Sequence, residues 1–294
     1  VKRSPPSDST RLPFVVYLLA IGTFLMCTSE FLIAGLLPEM ASAFGISLAR
    51  TGLLITAFAI GMIIGGPTMA LATTRLPRRV ALVLALVVFA AGHVIVAVSS
   101  DFAVVVAARV LTALVTGAFW AVASVVATQA AGPVNASRAP GMMMSGVGLS
   151  TVVGVPVGSW AGQHIGWRGA FRGLAVLAAA SALVFWRLVP TNDGHEVVPV
   201  RGQLGLAVRY GSTASTLTTG LVVSAFNAGI AGAVWTAGEA LDSSLGATGP
   251  ALSGAVLVAI GLIPLLALAV LIIRRRDRVD APRQEPLDEA LAST

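Results

Sequence analysis

The chain has 294 residues, of which 56% are hydrophobic and 11% charged, with a formal net charge of +6. A soluble domain carries roughly 25% charged residues, so this deficit excludes an ordinary water-facing surface. The basic residues sit in short clusters between apolar runs instead of covering one polar face, which argues against a nucleic-acid partner. The single cysteine, Cys27, permits neither an internal disulfide nor a cysteine-based metal site.

In chain order, residues 1–11 form a polar, basic, proline-containing tail without the shape of a cleavable signal. Long apolar runs follow at about 13–37, 50–73, 80–99, 102–129, 141–164, 170–189, 216–240 and 249–273. Each reaches the ~20 residues that carry a helix across a ~30 Å hydrocarbon core. Backbone groups there have no water to bond, so the runs are expected to be helices, and no ten-residue alternation suggests a barrel. The expected class is an all-α integral membrane protein with about eight transmembrane helices. Residues 191–215 are the longest polar interruption and the expected linker, and residues 274–294 a basic, disordered tail.

Placing the N-terminus inside puts fifteen Lys and Arg residues on the cytoplasmic side, three outside and Arg109 within a span. The positive-inside rule then locates both termini in the cytoplasm.

Charges within a span are costly and mark function by default. Glu30 lies in the first run and Arg109 in the fourth, both roughly 8–9 Å outward of the bilayer centre at 1.5 Å per residue. Equal depth allows them to interact, and a carboxyl placed between an apolar wall and a guanidinium can exchange protons as its surroundings change. Both are expected to couple protons or substrate; a static ion pair, or an arginine hydrogen-bonded to backbone carbonyls, is the structural alternative.

Helical spacing extends these faces through Thr23 and Met26 on the first run and Thr112, Thr116 and Trp120 on the fourth. They are candidate substrate-lining residues, together with Asn227 and His93. Threonine hydroxyls bonded to their own helix are the plainer account of Thr112 and Thr116, and packing that of His93. The fifth run repeats small residues every fourth position, at Gly146, Ser150, Gly154, Gly158 and Gly162, with Pro156 between. Such a stripe admits another helix at close range, and the proline is expected to bend its own helix. The three histidines are dispersed and no HExxH spacing occurs, so neither a metal, a cofactor nor an enzyme is expected.

Several stretches together resemble the major facilitator superfamily, and within it the bacterial twelve-helix drug:proton antiporters related to chloramphenicol- and sugar-efflux permeases. They include TSEFLIAGLLPEMA, ARVLTALVTGAFWAVASVVA, GVPVGSWAGQHIGWRGAF and SAFNAGIAGAVWTAGEALDSSLG. The resemblance places the family's membrane arginine on Arg109, its first-helix acidic residue on Glu30, and its antiporter glycine–proline signature on Gly154, Pro156 and Gly158. It implies a gating loop at Arg75, Arg78 and Arg79, although the acidic and glycine members of that motif are replaced by Thr74 and Pro77.

By the same resemblance, residues 12–190 form a whole six-helix N-terminal bundle. Residues 216–273 correspond to the last two helices of the second bundle, as in a shortened fold lacking the equivalent of helices 7–10. The implied activity is proton-coupled efflux of small amphipathic compounds across the cytoplasmic membrane; a non-transporting remnant, or a membrane partner of a full-length transporter, is the alternative. Lipid, a small-molecule substrate, protons and a second copy of the chain are the expected partners.

Overall fold

In a computed structural model, residues 11–73, 76–190, 215–242, 244 and 246–280 are described, and among them every regular element is helical. The helices are α1 (Phe14–Phe44), α2 (Leu48–Thr51), α3 (Leu53–Ala72), α4 (Arg78–Val98), α5 (Phe102–Asn135), α6 (Arg138–Leu149), α7 (Val155–Leu188), α8 (Ser215–Asp242) and α9 (Gly249–Asp280). A π-helical turn, Ser150–Gly154, joins α6 to α7, and a 3-10 turn, Gly246–Thr248, precedes α9.

Six segments among the described residues are long and apolar enough to cross a membrane. The longest, Arg138–Leu188, has 51 residues. At 1.5 Å per residue that is about 76 Å, more than twice a hydrocarbon core. It reverses at Gly166, whose φ of 76° and ψ of 157° lie in a region essentially reserved for glycine. Packing against α1 shows the reversal. Gly146, Gly154, Gly158 and Gly162 follow α1 upward, facing Ala20, Thr28, Leu32 and Leu36 in turn. Beyond the turn, Phe171 and Leu174 share a core with Leu36 and Met40 near the end of α1, while Ala182 and Phe185 share one with Val16 and Leu19 near its start. The segment therefore supplies two crossings. With α8, 28 residues long, over the seventh run, each of the eight apolar runs read from hydropathy is helical.

Capping marks the ends. Asp101 opens α5 by accepting from the Ala103 N–H at 2.7 Å, and α1 closes on Gly45 in the left-handed conformation (φ 65°). Pro156 follows the π turn directly. A proline lacks an N–H and its ring crowds the carbonyl four residues back, here within Ser150–Gly154, and widening of the turn relieves that conflict.

The chain divides into two compact units, up to Val234 and from Trp235 onward. In the first, α3 packs closely along α5, because Gly61, Gly65 and Gly117 let the two backbones meet. Ser224 of α8 donates to the Ile63 carbonyl of α3 at 2.7 Å, tying the start of α8 to this unit. The second unit contains the end of α8 and all of α9.

Candidate functional site

Glu30 on α1, Arg109 on α5 and Asn227 on α8 border one cavity of about 410 Å³, within the range of small-molecule sites. Apolar side chains form most of the remaining wall, among them Phe31, Ile55, Phe58 and Ile230, with Thr151 from the π turn. A second cavity, of about 200 Å³, is lined by Cys27, Met62, Trp120, Met144 and Phe226, and shares Glu30 and Asn227 with the first.

Arg109 is almost wholly enclosed, at 1% exposure. Its Nη1 donates to the Ser29 hydroxyl at 3.2 Å and to the Ser29 carbonyl at 3.4 Å. Its Cζ lies 4.2 Å from the centroid of the Phe58 ring, where the quadrupole of the ring face attracts a cation. The Nε and Nη2 atoms have no hydrogen-bond partner, and neither has Oε1 of Glu30 or Oδ1 of Asn227. Burying such groups unpaired is expensive, and the two charges interact electrostatically without a hydrogen bond between these atoms. A pocket walled by apolar rings, with unspent donors on one residue and unspent acceptors on two others, is suited to a ligand that is mostly apolar but carries polar groups.

The remaining residues singled out from the sequence are placed as follows. Trp120 borders the smaller cavity. Thr23, Thr112 and Thr116 are buried and donate to the carbonyls of Leu19, Arg109 and Thr112 on their own helices, and Met26 lies in the core. None of these four borders either cavity. His93 also lies away from both cavities and is hydrogen-bonded to Ser29.

The small residues of the fifth run face α1, where a Cβ at Gly154 would collide with the Thr28 hydroxyl and one at Gly158 with Leu32. Ser150 is buried in the π turn and Pro156 opens α7. In the loop before α4, Arg75 lies outside the described residues, Arg78 starts the helix, and the Arg79 guanidinium stacks 4.4 Å from the Trp186 ring. Sequence reasoning missed Ser29 and Phe58, the two groups that hold Arg109. Ser29 adjoins Glu30, but nothing in its local pattern shows which helix it meets.

These features define a multi-pass membrane protein with a ligand-sized cavity at its charged intramembrane residues. Residues 19–273 match the family model of the Major Facilitator Superfamily, and the chain belongs to that family of transporters, which are not enzymes. It is 39% identical over 181 residues to a chloramphenicol resistance protein of Streptomyces lividans, covering 62% of this chain and 46% of that one. It is 32% identical over 209 residues to the inner membrane transport protein YdhP of Escherichia coli K12, covering 71% and 54%. A probable sugar efflux transporter of Pasteurella multocida is 32% identical over 175 residues, with 60% and 43% covered. The chain thus spans about half the length of the curated relatives it matches. Among solved structures, the proton:xylose symporter XylE shares the fold at a TM-score of 0.54 and 14% identity, covering 80% of this chain and 54% of that one.

Proposed function

We propose that this chain acts in proton-coupled efflux of small amphipathic compounds, drugs such as chloramphenicol or sugars, across the cytoplasmic membrane, with both termini in the cytoplasm. The observation that carries this reading is the placement of Glu30 and Arg109 on one cavity with their polar atoms unspent. An ionised Glu30 gives the wall an acceptor for a cationic or hydrogen-bond-donating group on the ligand. A proton arriving at Glu30 removes that charge and releases the ligand, so proton and ligand exchange at one carboxylate. Arg109 fixes the opposite side, Asn227 offers a neutral acceptor, and Trp120 supplies an apolar wall for the ligand body.

In this reading residues 12–190 are one transporter bundle, 191–215 a linker and 216–273 part of a second bundle, with the cytoplasmic loop of Arg75, Arg78 and Arg79 gating their rocking. A second copy of the chain would supply further cavity wall. One competing reading is a membrane protein that joins a full-length transporter through its small-residue helix faces without moving substrate itself.

The deciding experiment compares accumulation of radiolabelled chloramphenicol and of a labelled sugar in cells expressing this chain, its Glu30→Gln variant or an empty vector. Lower accumulation with the wild-type chain alone is expected. Equal accumulation of both probes in all three would end the transport reading.

A further inference from the structure

Beneath Arg109 the structure holds a chain of polar contacts that the transport reading does not use. His93 on α4 is 1% exposed and Ser29 on α1 is fully buried. His93 Nδ1 lies 2.7 Å from the Phe89 carbonyl oxygen, and its Nε2 lies 2.6 Å from the Ser29 hydroxyl. The Ser29 hydroxyl in turn is 3.2 Å from Arg109 Nη1.

The direction of every bond in this chain follows from what each group can do. A carbonyl only accepts, so Nδ1 carries a proton and donates to Phe89. In the neutral ring Nε2 is then bare and accepts, so the Ser29 hydroxyl donates to it. A guanidinium only donates, so Nη1 gives its hydrogen to the Ser29 oxygen. The Ser29 hydroxyl donates once and accepts once, each ring nitrogen has one role, and no two donors face each other. The chain ends on Nη1, whereas the unpartnered atoms of Arg109 are Nε and Nη2. Those two form the side-on edge of the guanidinium, with two parallel N–H groups.

We propose that Ser29 and His93 are positioning residues that hold Arg109 by Nη1 and so reserve its Nε–Nη2 edge for acceptor groups in the cavity. Phe58 meets the same guanidinium from another side, its ring centroid 4.2 Å from Cζ, so the group is held by two helices at once. This inference rests on the reading of Arg109 as a ligand-facing group, but its hydrogen-bond chain is testable without transport.

Two measurements test it. The first is nitrogen NMR of the 15N-histidine-labelled full chain in lipid nanodiscs at pH 7. The signals lost in His93→Gln identify His93 among the three histidines. A protonated Nδ1 and a bare Nε2 are expected, with the Nε2 signal moving in Ser29→Ala. A protonated Nε2, or a signal indifferent to Ser29→Ala, overturns the proposal.

The second is the concentration dependence of chloramphenicol export. Ser29→Ala and His93→Leu are each expected to raise KM about tenfold, the scale of a lost hydrogen bond to a charged group, with kcat little changed. The double variant should match either single one, because both remove the same chain. Ser29→Thr and His93→Gln, which keep a donor and an acceptor in place, should restore KM to within about twofold if that chain is what matters. Additive losses, or no rescue by the conservative variants, overturn the positioning role. If the wild-type chain exports no chloramphenicol, the transport reading fails for that probe while the NMR result still decides the hydrogen-bond chain.

Discussion

The guanidinium of Arg109 sits 4.2 Å over the ring of Phe58, so the cation of α5 is held by a face of α3 as well as by the hydroxyl of α1. A desolvated cation–π contact is worth about 2 kcal/mol. Phe58→Leu is expected to lower thermal stability by about that amount and to weaken ligand binding, while Phe58→Tyr keeps both. Differential scanning fluorimetry in detergent checks the first effect, and an unchanged Tm in Phe58→Leu would show that the ring contributes nothing beyond bulk.

Gly154 faces Thr28 so closely that a methyl group placed there meets the threonine side chain. Overpacking of this kind costs about 1–3 kcal/mol. Gly154→Ala should therefore reduce the yield of monodisperse protein on size-exclusion chromatography, and Thr28→Gly in the same chain should recover it. Failure of the second change to rescue the first would remove the direct contact as the cause.

Gly166 turns the chain between two crossings at φ 76° and ψ 157°. An L-residue held in that region costs about 1–3 kcal/mol. Gly166→Ala should lose stability on that scale, whereas Gly173→Ala, in a helix with open space around it, should not. Equal melting temperatures for the two variants would contradict the strain assigned to the turn.

Ser224 ties α8 to α3 through the Ile63 carbonyl at 2.7 Å. Interhelical hydrogen bonds in membranes average about 0.6 kcal/mol, so Ser224→Ala should shift Tm only slightly. A loss several times larger would assign Ser224 a further role.

Hydropathy located the long helices because each run reaches the hydrocarbon thickness, and that signal needs no tertiary information. Glu30 and Arg109 stood out for a similar reason, since a charge within a span is conspicuous on its own. Their shared cavity was half legible: equal depth followed from counting residues, but which helices adjoin did not. Thr112 and Thr116 show the limit of face reasoning, because their hydroxyls donate within α5 and neither side chain borders either cavity. Ser29 and His93 are 64 positions apart. Their contact depends on how α1 lies against α4, which no local pattern of serine or histidine encodes.

The meshing of α1 with the α6–α7 run carries a mechanical consequence. Gly146, Gly154, Gly158 and Gly162 meet Ala20, Thr28, Leu32 and Leu36, so the same offset is kept along the whole contact. The teeth are four residues apart, about 6 Å at 1.5 Å per residue. Any smaller slide drives a side chain into backbone, so the two helices cannot shear past one another gradually. Motion that opens or closes the cavity then carries them together like one beam, and Glu30 travels with Thr151, which lines the same cavity.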